Sequence, residues 1–379
     1  MFYNRKRYLL ILPFLLLTFY LAWSSFDRNS PTNIPDLRLQ SIVTTSKNQE
    51  KGNLLGIQPW MTTIDYASET NFTNKIESYL KKAKDGGFLN PKTIVVLPEY
   101  LGSWLVVAGE KKSVFDRSSI ADAMQILVLS NIGLFVKNWV FAKGEDSVRD
   151  TVFRMKSGQM ASIYSNTFSF LAKKYSITIV AGSILLPEPF VEDGILKLGN
   201  GALRNGSFVF LPDGKVSSDF SSKIYPIEDE KPFVKASSLQ ELKVIPTPAG
   251  RIGVLVCADS WYPEVYETFK KQNVDFIVVP SFVSPSGAMS EKWRGYNGSP
   301  NPIDVQKGDI GTITEGEAWW KYALAGRISK SGASHGINVF LRGSLWDLGS
   351  DGEIIFVSRS IRKEFAKNEA ASMANVWVD

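Results

Sequence analysis

Gly250-Arg251-Ile252-Gly253-Val254-Leu255-Val256-Cys257-Ala258-Asp259-Ser260-Trp261-Tyr262-Pro263-Glu264 passes from an apolar run to a lone thiol and then to a proline. Residues 252–256 are β-branched or aliphatic apart from Gly253, the composition of a buried strand. Pro263 is tolerated in the first turn of a helix, and 264–272 carries a helical pattern. Cys257 therefore falls where a strand ends and the chain turns back. A cysteine in such a place is ordinarily a small buried hydrophobe, so its neighbours must decide what it does. The chain has 1 Cys and 1 His, His335. That excludes an intrachain disulfide, a multi-thiolate metal site and the usual zinc constellations, and no metal or cofactor is expected.

Outward from this run, 54–57, 93–97, 177–182, 207–211, 276–279 and 339–342 also read as strands. The stretches 71–84, 165–174 and 317–331 read as helices. Strands separated by helices imply an α/β fold with helices covering a largely buried sheet. Two more strand ends carry chemistry. Val95-Val96-Leu97-Pro98-Glu99-Tyr100 presents a carboxylate, and Phe210-Leu211-Pro212-Asp213-Gly214-Lys215 is followed by Ser222-Lys223-Ile224-Tyr225-Pro226, with Glu230 beyond. Side chains at the carboxyl ends of strands project into the crevice where α/β sites form. Lys215 competes with Lys223 for the cation's role, but it follows Asp213-Gly214 in what reads as a solvated turn.

These three pieces, in this order, resemble the nitrilase, or carbon–nitrogen hydrolase, superfamily. The run around Cys257 carries the resemblance, and Leu97-Pro98-Glu99, the spacing Lys223-x-x-Pro226-x-x-x-Glu230, Val278-Val279-Pro280-Ser281, Gly343-Ser344 and Gly352 add to it. The resemblance implies a four-layer αββα sandwich, often paired into homodimers through helices. It also implies a Glu-Lys-Cys triad of Glu99, Lys223 and Cys257, with Glu230 as accessory glutamate.

The chemistry gives each residue type a reason. A free thiol near neutral pH is mostly protonated and needs a base or a positive field. Glu99 is expected to take its proton and return it to the leaving amine. Lys223 offsets the charges and faces the developing oxyanion, and the amide of Ala258 is the candidate second donor. Tyr100, Ala258, Trp261 and Ser281 are the candidate substrate contacts, with core packing the alternative for Tyr100 and Trp261. His335, in Ala-Ser-His-Gly, reads as structural, because Glu99 and Lys223 already fill the roles a Cys–His pair would need.

True nitrilases follow the cysteine with Trp-Glu, whereas this chain has Ala258-Asp259, closer to the amidase-like branches. An amide is thus the expected target, attacked through a Cys thioester. The alternatives are an N-acyltransferase related to apolipoprotein N-acyltransferase, whose bundle of transmembrane helices has no counterpart here, and a catalytically idle binding protein. The family's Arg-Ala-x-Glu-Asn helix is replaced by Arg327-Ile328-Ser329-Lys330-Ser331.

Residues 8–26 carry no charge and follow the basic Asn4-Arg5-Lys6-Arg7. Nineteen residues at about 1.5 Å each reach roughly 28 Å, enough to cross a bilayer's hydrocarbon. Residues 1–26 are expected to form a basic cytoplasmic tip and a single-pass transmembrane helix, placing the rest outside the cytoplasm. A cleaved signal peptide ending near Ala22-Trp23-Ser24 is the competing reading. Polar residues 27–50 read as a linker, 51–362 as the hydrolase domain and 363–379 as a tail. The membrane and a small amide or acyl substrate are the expected partners. Nucleic acid is not, since the net charge of +5 is scattered rather than gathered on one face. Within 101–164, too long for a plain connection, the apolar stretch 123–140 reads as an extra packed helix, or else as a lid or membrane-touching arm beside the site.

Overall fold

The computed structural model describes the backbone of residues 3–28, 32–45, 51–358, 362–364 and 369–378, and their side chains from 12 to 358 and from 369 to 378. Strand Asn53–Gln58 is buried throughout, and its alternate residues serve two different cores. Leu55 and Ile57 join a cluster with Phe72, Ile76 and Tyr79 of helix Glu69–Asp85 and with Tyr164, Phe168 and Leu171 of helix Ser147–Tyr175. Leu54 instead joins Ile94, Val254, Val278, Ile337 and Val339 in a cluster shared by two sheets. A third cluster packs Ile277 and Val279 under Val265 and Phe269 of helix Pro263–Lys271 and under Leu324 and Ile328. Helix, sheet, sheet and helix therefore stack as four layers, the expected αββα sandwich.

The first sheet runs Leu39–Thr44, Ala371–Trp377, Asn53–Gln58, Thr93–Val96, Thr178–Val180, Val209–Phe210. The second runs Val244–Thr247, Gly250–Val254, Phe276–Ser281, His335–Phe340, Ile355–Val357, Arg362–Glu364. The three central strands of each are parallel, which places their carboxyl ends together on one rim. Gly253 is required inside its strand: a Cβ there would stand 2.6 Å from the Phe269 ring, so helix Pro263–Lys271 could not lie so close to the strand that leads to Cys257.

Three boundaries read from the sequence need correction. The segment taken as a linker contains the edge strand Leu39–Thr44, and Asn33 Nδ2 donates to Asp65 at 2.9 Å; residues 29–31 and 46–50 of it lie outside the described residues. The segment taken as a tail supplies Ala371–Trp377, an internal strand parallel to Leu39–Thr44 and antiparallel to Asn53–Gln58; residues 365–368 lie outside the described ones. A terminal strand separated from its partners by most of the chain has no local turn to announce it. The helix read at 165–174 is the end of the 29-residue helix Ser147–Tyr175, whose Asp146 cap accepts from the Arg149 amide.

The N-terminal residues form helix Tyr3–Ser25, with the side chains of Asn4–Arg7 outside the described residues. Among the described residues no single helix is long and apolar enough to cross a membrane; the described side chains of this one form a shorter apolar stretch, Leu12–Ser25. The 123–140 stretch forms two helices, Ile120–Ser130 and Ile132–Trp139, that meet at 91°.

Candidate active site

Glu99, Lys223 and Cys257 converge at the carboxyl rim of the two sheets, each delivered by a different element. Glu99 lies just past strand Thr93–Val96, where the Leu97 amide donates to Val180 O at 3.0 Å and the Tyr100 amide to Ser183 Oγ at 2.9 Å. Gly182, at φ +72°, has the Pro98 carbonyl where a Cβ would stand, 2.1 Å away, so only glycine lets the chain before Glu99 pack so closely. Lys223 follows the short strand Ser221–Ser222, which pairs with Gly206 and Ser207. The Ser221 hydroxyl donates to Val254 O at 2.8 Å, joining this piece to the cysteine strand. Cys257 opens the 3₁₀ turn Cys257–Trp261 with φ +50°, a left-handed backbone rare for a residue with a Cβ. Such local strain is found where a fold holds a side chain out at a site.

Asp259 locks that turn in place. Its carboxylate accepts the amides of Ile224 at 2.9 Å, Tyr225 at 2.8 Å and Val256 at 3.3 Å, so one buried side chain fixes the backbone beside Lys223 relative to the backbone before Cys257. Burial pushes this carboxyl up to about 7 against the amide donors that hold it down.

The charged groups form one buried network. Lys223 Nζ donates to Glu99 Oε1 at 2.8 Å and lies 2.7 Å from Glu230 Oε2. Asn205 Nδ2 donates to both carboxylates, at 2.9 Å to Glu99 and 3.2 Å to Glu230. The Tyr100 hydroxyl donates to Glu230, whose other oxygen accepts the Ile227 amide at 2.9 Å. The Cys257 thiol is a hydrogen-bond partner of Glu99 and lies 3.7 Å from Phe282 O.

The electrostatics follow from burial. Burial raises Glu99 above the usual carboxylate range; the Lys223 ammonium pulls it back and Glu230 pushes it further up. Burial pulls Lys223 down, but Glu230 and Glu99 outweigh it and hold the ammonium well above the ordinary lysine range. Burial also raises the Cys257 thiol far above its ordinary value, with Glu99 adding and Lys223 opposing. The thiol is therefore protonated at rest and has a base in contact with it.

All three groups open into a cavity of about 1230 Å³, which Glu230, Tyr100, Ala258 and Trp261 also line. Ser281 does not line it, contrary to the sequence reading. Its side chain is fully buried at the end of strand Phe276–Ser281, where the hydroxyl donates to Asn338 Oδ1 at 2.7 Å. Lys215 is exposed in its turn, and His335, buried at the start of its strand with Nδ1 2.9 Å from Ser334 Oγ, is likewise away from the cavity. Asn205 is the member that the sequence reading missed; it sits inside the 13-residue strand Ile195–Ser207, where nothing local distinguishes it. Among the described residues there is no group of three or more His, Cys, Asp or Glu able to hold a metal ion.

An αββα sandwich with a buried carboxylate, ammonium and thiol at one rim narrows the class of protein, and similarity to known proteins identifies it. A carbon–nitrogen hydrolase family model matches residues 66–299, well over half of the chain; the chain belongs to the carbon–nitrogen hydrolase family of the nitrilase superfamily. Over 117 residues, 31% of the chain, it is 26% identical to the probable hydrolase YhcX of Bacillus subtilis (strain 168), and that stretch spans 20% of YhcX. A carbon–nitrogen hydrolase from Helicobacter pylori G27 superposes with a TM-score of 0.53 at 17% identity, covering 86% of this chain and 88% of that one. A mutant of the amidase from Nesterenkonia sp. AN1 superposes with a TM-score of 0.52 at 11% identity, covering 87% and 92%. These likenesses are of fold.

Proposed function

We propose that the protein is an amidase-type hydrolase of linear, non-peptide amides, anchored in a membrane with its catalytic domain outside the cytoplasm, and that Glu99, Lys223 and Cys257 are its catalytic groups. The observation that carries this reading is the juxtaposition of thiol, carboxylate and ammonium, all buried at one rim. Glu99 takes the thiol proton as the sulfur attacks the amide carbon, and the charge arriving on the carbonyl oxygen faces Lys223 Nζ and the Ala258 amide. The C–N bond then breaks, the amine leaves with the proton from Glu99, and a thioester remains on Cys257. Water, deprotonated by Glu99, attacks that thioester and releases the acid. Glu230, tied to Lys223, Asn205 and Tyr100, holds the ammonium in register. The anchor reading rests on the uncharged residues 8–26, of which 8–25 fall within helix Tyr3–Ser25.

Product analysis tests the reaction. With a simple primary amide, the purified full-length protein is expected to release ammonia and free acid in equal amounts without an added amine. Release of acyl product only when an amine is supplied would make the protein an acyltransferase instead.

A further inference from the structure

The catalytic cavity, at about 1230 Å³, exceeds the 300–1,000 Å³ or so usual for a drug-sized ligand. From Cys257 it extends past Ile120, Ala121 and Met124 of helix Ile120–Ser130 and past Val148, Val152 and Phe153 of helix Ser147–Tyr175. The lining also carries Glu291, Lys292, Arg294 and Glu315. The lining thus holds an apolar arm, which Arg149 and Asp229 interrupt, and a second arm that carries those charges.

The helix that lines the apolar arm continues into an apolar outer surface. Helix Ile132–Trp139 buries none of its side chains, and Leu134, Val136 and Val140 are 47%, 63% and 73% exposed. Ile120–Ser130 and Ile132–Trp139 together are long and apolar enough for a broken membrane span or a re-entrant loop. The N-terminal helix is fastened at this same place. Tyr20 OH accepts the Ile132 amide at 3.2 Å, Lys111 Nζ donates to Trp23 O and Phe26 O, and Arg28 donates to Ser130 O at 2.9 Å and pairs with Glu110 at 3.2 Å. Beyond these contacts Leu15, Leu16 and Phe19 project into solvent. Water-facing surfaces rarely leave so many neighbouring apolar side chains uncovered, and the exposed Trp139 and Trp23 with Lys111 beside them are the residues that favour a bilayer interface.

We infer that the bent pair Ile120–Trp139 seats in the lipid bilayer beside the N-terminal helix, and that the site takes amphiphilic amides whose long acyl chain passes from the bilayer into the apolar arm while the amine portion lies among Glu291, Lys292, Arg294 and Glu315. The substrate half rests on the amidase reading; the bilayer contact does not. A bilayer occupant is favoured over a partner protein because the surface is continuous with the apolar N-terminal helix and bounded by cations and indoles.

The test uses the full-length chain in nanodiscs of phosphatidylcholine and phosphatidylglycerol. A nitroxide at Val136→Cys, in a Cys257→Ala background, is expected to collide with oxygen in preference to a water-soluble nickel chelate. The same label at Lys270→Cys, on the exposed side of helix Pro263–Lys271, is expected to show the reverse. Equal nickel accessibility at the two positions would overturn the bilayer contact. With the wild-type chain, kcat/KM is expected to rise at least about tenfold from a two-carbon to a twelve-carbon N-acyl amide, since buried methylenes each add binding. Met124→Trp, which fills the arm, is expected to lower that ratio. Equal kcat/KM for both chain lengths would overturn the substrate class. Turnover of no amide, with the Val136 label still in lipid, would sink the amidase reading and leave the seating intact.

Discussion

Two lysines are buried to the same degree and behave in opposite ways. Lys75, on helix Glu69–Asp85, is fully buried, 3.1 Å from Asp65 and 2.6 Å from the Asp36 carbonyl. Lys223 is 1% exposed between Glu99 and Glu230. For Lys75 burial outweighs the attraction of Asp65, and its pKa falls below the ordinary lysine value. For Lys223 two carboxylates reverse the balance and the ammonium is held firmly. The difference is a second carboxylate in direct contact: Asp36 acts on Lys75 only weakly and Arg38 opposes it, whereas Glu230 lies 2.7 Å from Lys223 Nζ. In the proposed reaction Lys223 must stay cationic beside a thiolate and an oxyanion, and Glu230 is the contact that would keep it so.

The comparison breaks most visibly on removing each lysine. Lys223→Met is expected to lower kcat/KM by roughly 10³ or more, by the loss of an oxyanion donor and of the charge that tolerates a thiolate. Lys75→Met is expected to keep kcat/KM within about threefold. Both should lower the melting temperature, because a buried charge without its partner costs about 3–5 kcal/mol. Equal loss of activity in the two variants would erase the distinction. Glu230→Gln makes Lys223 resemble Lys75. A drop of about 10² in kcat/KM is expected, along with an alkaline limb of the pH–rate profile that moves down as the ammonium loses its second carboxylate. An unmoved limb would mean that Glu230 does not hold the charge.

Tyr100→Phe removes one hydrogen bond to Glu230 and is expected to cost about tenfold, in keeping with about 1.5 kcal/mol for a hydrogen bond to a charged group. The smallest effect is a displacement. Glu99 must be ionised to accept the thiol proton, and its pKa lies above the ordinary 4.5. Activity should therefore be present above that raised value and lost as pH falls through it. Initial rates that hold level down to pH 4.5 would contradict the environment assigned to Glu99.

Much of the site was legible because it stands on local signals. Leu97-Pro98-Glu99 and the run into Cys257 each follow a strand whose β-branched composition marks it; the first lies at Thr93–Val96 and the second at Gly250–Val254, two residues earlier than the 252–256 read from the sequence. The two-sheet layering follows from the same strands. Asn205, by contrast, touches Glu99 and Glu230 only because a long antiparallel strand pairs with Ser221–Ser222, a register with no signature in its own neighbours. Ser281 failed for a related reason: at a strand end the direction of one hydroxyl depends on the next strand, and Asn338 takes it. The strands Leu39–Thr44 and Ala371–Trp377 pair with each other from opposite ends of the chain, beyond the reach of any local pattern.

Cys257 Sγ is the atom proposed to carry the acyl group. Intact-mass measurement of acid-quenched full-length protein during turnover of an amide tests it directly, with Glu99→Gln used to slow clearance of the intermediate. The expected result is an added mass equal to the acyl group, mapped to Cys257 and absent from Cys257→Ala. An unmodified Cys257 under steady turnover, or undiminished turnover by Cys257→Ala, would contradict it.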